Sequence, residues 1–303
     1  MICKPINIRL WLILAFAIVI ASISSSKSAA PEKTYASFKV EIKGKGQPLL
    51  LIPGLSCSGD VWKETVARYS KHYQCHIFTL AGYAGVPAIQ APLLETASRD
   101  IRQYVKDQKL QKPLVMGHSI GGYLTIKMAS EEPTLFGKVI VVDALPFLPA
   151  AGNRSATEEA MRATNLEANV KQVEALPAAQ FAQLQRRTIE TMISDPKQVE
   201  QALQWSLSSD RATLIRSAAE MMQNDLRDEI ASVTAPTLVL GSYFLAEDQR
   251  AQHPQFPKAG LEVYQQQYQK LKGAKVEITN TARHFIMYDD PEWFFAQVDS
   301  FLK

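Results

Sequence analysis

Histidine and cysteine are scarce in this chain, and their scarcity argues against several kinds of site. The 303 residues contain five histidines and three cysteines. The histidines lack the spacing of metal ligands, and we expect Cys57 and Cys75 at distant points of the fold, so the sequence predicts no metal centre. Gly44 and Gly46 precede a predicted strand, whereas a Gly-x-Gly phosphate loop follows one. We therefore expect no metal and no cofactor.

An excess of either charge is also missing. The 33 lysines and arginines stand against 30 aspartates and glutamates, which leaves a net charge of +3. No basic cluster alternates with aromatic residues, the pattern typical of a nucleic-acid interface, so we expect no nucleic-acid partner. The 47% hydrophobic and 21% charged content is that of a globular protein. The length allows one large core, or a core with an insert.

A long apolar run occurs at the N-terminus. Lys4 and Arg9 precede the apolar residues 10–20, and small residues are frequent over 22–30. This order of basic, apolar and small residues is typical of a secretory signal peptide, and the run is short for a membrane span. We expect a cleaved signal peptide over residues 1–30, with an uncleaved anchor as the alternative. The mature protein would be exported to a periplasm or beyond and keep no stable membrane span.

Cys57 and Cys75 are predicted to be free thiols, even in an oxidising compartment. Cys57 follows the C-terminal end of one predicted parallel strand, and Cys75 opens the next. Opposite ends of neighbouring parallel strands lie a strand length apart. That separation exceeds the Cα spacing of under about 7 Å that a disulfide requires.

Apolar strand patterns alternate with helical patterns along most of the chain. Residues 38–42 and the turn 44–46 suggest a small strand pair at the start of the fold. The further predicted strands are 49–52, 76–80, 114–116, 139–143, 237–240 and 274–278, and the predicted helices include 61–69, 96–108 and 291–302. This alternation predicts an α/β fold, a mostly parallel twisted sheet with helices on both faces.

The pattern changes at about Pro146. From residue 155 to 230 no strand-like run occurs, and Ala, Gln, Glu and Leu recur at helical spacing. We predict a helical cap over residues 149–230, inserted after the strand that ends at Asp143. Residues 31–148 and 231–303 would then form the core.

The segment 114–122 carries the strongest functional signal. Its apolar strand runs into Gly117-His118-Ser119-Ile120-Gly121, a Gly-x-Ser-x-Gly pattern, and a helical pattern follows at once. A nucleophile on a sharp strand-to-helix turn needs small neighbours, because the helix packs closely against the strand. Ser119 is therefore the predicted nucleophile.

Two further segments agree with such a turn. The strand 49–52 ends in Pro53-Gly54, and His284 follows the predicted strand 274–278. With these features in this order, the chain resembles the α/β-hydrolase fold superfamily over most of residues 35–303, in the form of a capped serine hydrolase. The resemblance implies a chain order of Ser, acid and His, and it leaves the substrate open.

His284 is the predicted general base, because a serine hydroxyl needs a base within hydrogen-bond reach. His118 is expected to point away from the nucleophile, and His253 lies in a proline-containing loop. His72 and His76 lie near the start of a strand, at the wrong end of the sheet.

Asp143 is the predicted acid that orients this base. In the resembled superfamily the acid usually follows the strand that corresponds to 237–240, but here residues 241–244 contain no carboxylate. Some members carry the acid one strand earlier, where Asp143 stands. Glu247 and Asp248 stay open as alternatives, and so does a purely structural role for Asp143 as a cap.

The oxyanion hole is predicted from two backbone amides, those of Leu55 and Ile120. Ile120 follows the nucleophile, and Leu55 follows Pro53-Gly54. Large apolar residues are candidates for the substrate pocket between core and cap. They are Trp62, Phe147, Trp205, Met221, Met222, Tyr243 and Phe244.

Together these features predict an exported serine hydrolase that acts through an acyl-enzyme. Its substrate would be an ester, amide or other acyl compound of small to medium size. The alternative from another class is a ligand-binding or signalling protein of the same fold, with slow or no turnover. Both would carry the same residues, so turnover has to be measured.

Overall fold

The computed structural model describes residues 34–90, 92–244 and 256–303, and the strands within them form one sheet. The strands are β1 Phe38–Lys43, β2 Gln47–Ile52, β3 Tyr73–Leu80, β4 Leu114–His118, β5 Lys138–Val142, β6 Thr237–Ser242 and β7 Lys275–Thr279. The helices of the first half are α1 Lys63–Tyr69, α2 Leu93–Asp107, α3 Ile120–Glu131, α4 Pro149–Gly152, α5 Glu158–Arg162 and α6 Leu166–Glu174. The remaining helices are α7 Ala178–Met192, α8 Pro196–Leu207, α9 Arg211–Met222, α10 Phe256–Gln267, α11 Ile286–Asp289 and α12 Pro291–Leu302.

The order of the strands is β1-β3-β2-β4-β5-β6-β7. All neighbours pair in parallel except β1, which pairs antiparallel with β3. The predicted α/β fold with a mostly parallel sheet is therefore confirmed. In such a sheet the C-terminal strand ends share one edge, and ligands bind in the crevice outside that edge.

The predicted strand pair at the start of the fold is wrong, because β1 pairs with β3 and not with the next strand in the chain. The ring of Phe38, at the start of β1, makes edge-to-face contacts with Phe78 of β3 and Tyr104 of α2. This aromatic cluster buries one face of β1 at the edge of the sheet. The partner of β1 is thus set by residues far away in sequence.

The central strands are apolar without alternation because helices cover both faces of the sheet. In β2, Leu49 and Leu51 pack in one cluster with the closing helix α12, whereas Leu50 and Ile52 pack in another cluster with α2 and α3. All four side chains are fully buried. Burial on alternate sides fixes the register of the strand, since a slip of one residue would exchange the two faces.

Helix α2 begins at Leu93, three residues before its predicted start. The carboxylate of Glu220 in α9 accepts hydrogen bonds from the backbone N–H groups of Leu93 and Leu94, at 2.7 and 2.8 Å. Free N–H groups at a helix start need such acceptors, and this one comes from a distant helix that the local sequence does not reveal. The buried face of α2 includes Ile101 and Tyr104.

The segment between β5 and β6 is described throughout, and helices α4 to α9 are its main elements, without a strand. Side-chain caps start several of these helices. Asn165 accepts from the N–H of Ala168, and Asp210 accepts from that of Thr213. β5 itself ends at Val142, one residue before the predicted end.

Three further predictions concern the cysteines and the N-terminus. Cys57 and Cys75 are both buried and free, as predicted. In the described part of the chain, no helix has the length and apolar character to cross a membrane. The predicted signal peptide, residues 1–30, lies outside the described residues.

Candidate active site

Ser119 lies on a sharp turn between β4 and α3. Its backbone has φ 55° and ψ −125°, a conformation that non-glycine residues rarely adopt. Its N–H donates to the carbonyl of Val142 at 2.9 Å, which ties the turn to the end of β5. This strained conformation places Ser119 at the C-terminal edge of the sheet, next to the positive N-terminal end of α3.

The glycines on either side of Ser119 make this turn sterically feasible. A Cβ atom on Gly117 would lie 2.1 Å from the carbonyl oxygen of Gly121. A Cβ atom on Gly121 would lie 2.4 Å from the carbonyl oxygen of Pro53. Both distances are too short for any side chain, so the pattern Gly-x-Ser-x-Gly is required by close backbone approach.

His284 and Asp143 meet at the same edge of the sheet. Nδ1 of His284 lies 2.5 Å from Oδ2 of Asp143. Asp143 follows β5 and His284 follows β7, and their side chains are 10% and 25% exposed. With Nδ1–H donating to the carboxylate, Nε2 of His284 is left as the acceptor that a general base requires.

The carboxylate of Asp143 has two further donors, which the sequence did not indicate. Its Oδ1 accepts from the backbone N–H of Ser242 at 2.6 Å and from the hydroxyl of Tyr264 at 2.5 Å. Ser242 ends β6 and Tyr264 belongs to α10. The alternative acids Glu247 and Asp248, and also His253, lie outside the described residues.

One small cavity brings these groups together. Ser119, Asp143 and His284 all line a cavity of about 120 Å³. The rest of its described lining consists of Ala144, Leu145, Leu148, Met221 and Tyr264. A hydroxyl, an imidazole paired with a carboxylate, and a short apolar wall are the parts that an acyl transfer needs.

Three of the aromatic residues expected in the pocket lie elsewhere in the fold. Trp62 is fully buried, with its ring edge-on to His118. Phe147 is also fully buried, under the guanidinium of Arg227 at 5.0 Å, and Trp205 is buried in α8. Their large rings pack within the protein, and none of the three is among the described residues that line this cavity.

Tyr243 and Phe244 are likewise not among the described residues that line the cavity. The N–H of Tyr243 donates to the carbonyl of Thr279 at 2.9 Å, which extends the pairing of β6 with β7. The ring of Phe244 is 37% exposed and lies under the guanidinium of Arg283 at 5.1 Å. Of the expected pocket residues only Met221 lines the cavity.

The two predicted oxyanion amides flank the nucleophile. A Cβ atom on Gly54 would lie 3.3 Å from Cβ of Ser119, so the loop after β2 touches the turn. Leu55 follows in this loop, and Ile120 is the first residue of α3. Among the described residues no protein acceptor takes the N–H of Leu55 or of Ile120. Their role as donors to a developing oxyanion stays a prediction.

The ring of His118 packs against His284. Its ring centroid is 4.7 Å from that of His284, and its Nε2 lies 3.0 Å from the carbonyl oxygen of His284. Burial, with a smaller effect from the nearby His284, lowers the pKa of His118 well below its usual value. A neutral His118 donates its Nε2–H to that carbonyl and holds the loop of the base. The sequence signal for this role is the position of His118, at the end of a buried strand and next to Ser119.

Known proteins are similar in sequence to most of this chain. A curated relative, the pimeloyl-[acyl-carrier protein] methyl ester esterase of Vibrio cholerae, is 25% identical over 200 residues, which cover 66% of this chain and 76% of the relative. The protein of the same name from Nitrosospira multiformis is 22% identical and covers 88% of this chain and 98% of the relative.

Solved structures agree in fold. An esterase from Thermogutta terrifontis superimposes with a TM-score of 0.70 at 19% identity, and the match covers 88% of this chain and 92% of that one. An enol-lactonase from Burkholderia xenovorans gives a TM-score of 0.64 at 17% identity, over 88% and 96% of the two chains. The family described as "Alpha/beta hydrolase family" matches residues 49–297. The chain therefore belongs to the alpha/beta hydrolase family and is an enzyme, an esterase-like hydrolase.

Proposed function

We propose that the protein hydrolyses small esters through an acyl-enzyme, with Ser119 as nucleophile, His284 as general base and Asp143 as the acid that orients the base. One observation carries the proposal. Ser119 opens into the same cavity as His284, whose Nδ1 is hydrogen-bonded to Asp143 at 2.5 Å. The ester-hydrolysing names of the curated relatives support this reaction type.

In this mechanism His284 takes the proton of Ser119 as the hydroxyl attacks the ester carbonyl. The negative charge that develops on the carbonyl oxygen is stabilised by the amides of Leu55 and Ile120. His284 then gives its proton to the leaving alcohol. Water enters, loses a proton to the same imidazole and releases the acid, while Asp143 stabilises the charged imidazole in both steps.

The cavity favours a short, apolar group on one side of the ester. A water molecule occupies about 30 Å³ in the liquid, so a cavity of about 120 Å³ accepts roughly four such volumes. The aliphatic part of the wall, Leu145, Leu148 and Met221, presents no charged side chain to this group. An acyl chain of about four non-hydrogen atoms matches this space.

Export is the second part of the proposal. Basic, apolar and small residues follow one another over residues 1–30, as in secretory signal peptides. An exported enzyme would meet small esters outside the cytoplasm. Cell fractionation and the N-terminal mass of the mature protein test this part: an intact Met1 would refute the cleaved signal peptide.

The enzymatic proposal is tested with a fluorophosphonate probe and a series of p-nitrophenyl esters of two to eight acyl carbons. We expect wild-type protein to label and to turn over the short esters best. Ser119→Ala should abolish labelling, and Asp143→Asn should slow turnover about 10³- to 10⁴-fold. Ser130→Ala is the matched control, since among the described residues the hydroxyl of this serine of α3 donates only to the carbonyl of Lys127. The hydroxyl of Ser232 donates to the backbone carbonyl of Ser130, which the substitution keeps.

Other outcomes separate the alternatives. Labelling without repeated turnover would favour the ligand-binding or signalling protein of the same fold. Full turnover in Asp143→Asn together with loss in Asp248→Asn or Glu247→Gln would move the role of the acid to that residue. Folded wild-type protein that fails to label would refute the serine hydrolase mechanism.

A further inference from the structure

The end of β6 is built to hold a carboxylate that comes from the neighbouring strand. Gly241 and Ser242 end β6 without a carboxylate. Instead of a carboxylate, Ser242 offers its backbone N–H to Oδ1 of Asp143 at 2.6 Å. The carboxylate of Asp143 follows β5, and the end of the neighbouring strand β6 supplies a hydrogen-bond donor to it.

Gly241 also makes room for a second donor. A Cβ atom on Gly241 would lie 2.6 Å from Cζ of Tyr264 and 2.7 Å from its Cε1. The ring of Tyr264 therefore crosses the strand at the one place where β6 has no side chain. From there its hydroxyl reaches Oδ1 of Asp143 at 2.5 Å.

Tyr264 is well suited to donate this hydrogen bond permanently. The residue is 7% exposed, and its burial together with the adjacent charge of Asp143 raises the pKa of its hydroxyl well above the usual value. The hydroxyl is therefore protonated at neutral pH and can donate. Tyr264 also lines the cavity that Ser119 lines.

We propose that Tyr264 is a positioning residue that, together with the amide of Ser242, fixes the carboxylate of Asp143 for its work on His284. This inference rests on the proposed triad. Two donors on Oδ1 leave Oδ2 to face Nδ1 of His284, so the carboxylate cannot rotate away from the base. The two donors also stabilise the negative charge of Asp143. The carboxylate therefore orients the charged imidazole of His284 without taking its proton.

The chain offers a matched control one helical turn away. The N–H of Tyr268 donates to the carbonyl of Tyr264 at 2.9 Å, and both rings are buried. The hydroxyl of Tyr268 donates to the carbonyl of Ala144 at 2.9 Å and makes no hydrogen bond to Asp143. Tyr→Phe at the two positions removes the same atom from neighbouring buried sites, and only one of them touches the acid.

The test measures kcat and KM for a short p-nitrophenyl ester that wild-type protein hydrolyses. In Tyr264→Phe we expect kcat to fall about tenfold with KM unchanged within a factor of two, as loss of one hydrogen bond to a charged group predicts. In Tyr268→Phe both constants should stay within a factor of two. Equal losses in the two variants would overturn the inference, because a general packing effect would then explain them.

A double-mutant cycle shows whether Tyr264 acts through Asp143. In an Asp143→Ala background the hydroxyl has no carboxylate to hold, so adding Tyr264→Phe should change the residual rate of fluorophosphonate labelling less than twofold. A tenfold effect in this background as well would refute the inference. Failure of the proposed function would be seen separately, since wild-type protein would then neither label nor turn over.

Discussion

The strand ends around Ser119 and the helical segment 149–222 differ in how tightly their backbones are held. At the strand ends, side chains as small as a methyl group are excluded at Gly117 and Gly121 by carbonyl oxygens within 2.5 Å. In the helical segment, α5 has no buried residue and α6 has one, Val170. The turn around the proposed nucleophile is fixed by close backbone packing, whereas α5 and α6 bury at most one side chain each.

Replacing Ser119 with glycine should give the largest effect on turnover, and it should change activity and stability in opposite directions. Without its hydroxyl, turnover should fall about 10⁶-fold, as in other serine hydrolases. Glycine adopts a φ of 55° without strain, so the free energy of unfolding should rise by about 1 kcal/mol. Ester turnover and chemical denaturation measure the two effects. A variant that is less stable than Ser119→Ala would contradict the view that the turn stores strain.

A pair of glycine substitutions compares the two regions directly. In Gly121→Ala the new methyl group meets the carbonyl oxygen of Pro53 at 2.4 Å, so we expect a loss of at least about 3 kcal/mol of stability. In Gly152→Ala of α4 nothing lies within 4 Å, and stability should change by less than about 1 kcal/mol. Thermal and urea unfolding of both variants measure the two changes in stability. Similar losses at the two positions would remove the contrast.

This contrast explains what could be predicted from the sequence. Ser119, its flanking glycines and the parallel sheet follow from local constraints, namely a sterically required turn and strands buried on both faces. The pairing of β1 with β3 depends on contacts between Phe38, Phe78 and Tyr104, far apart in the chain.

The lining of the cavity is hard to predict from the sequence for a related reason. Size and apolar character suggested Trp62 and Phe147, but those traits equally suit a packed interior, where both residues lie. Leu145 and Leu148, which do line the cavity, carry no distinguishing pattern. Tyr264 was missed because its role depends on the absence of a side chain at Gly241, on a different element.

Acid should destabilise the sheet region more than the helical segment. Burial lowers the pKa of His76 in β3 to about 4, below the 6.5 of the unfolded chain. The unfolded state therefore binds the proton more strongly, so this contribution to stability is complete above pH 6.5 and is lost as the pH falls towards 4. His118 acts in the same direction. The segment 149–222 contains no histidine and lacks this source of acid sensitivity.

Urea unfolding between pH 7.5 and 4 tests this dependence. We expect a steady loss of stability below pH 6.5 in wild-type protein and a shallower slope in His76→Gln. His72→Gln is the control, because that side chain is exposed. Equal slopes in wild-type protein and His76→Gln would show that other groups govern the response to acid.

The smallest effect is expected where the helical segment touches the cavity. Met221→Ala enlarges the cavity that Ser119 lines, without altering any group that we place in the chemistry. One or two methylene groups in such a pocket change kcat/KM by about 10- to 200-fold at most. We therefore expect the preferred acyl chain to lengthen by one or two carbons while the best rate stays within tenfold of the wild type. Met221 belongs to the helical segment and not to the strand ends, so we expect this segment to adjust specificity. An unchanged chain-length profile would separate the segment from substrate choice.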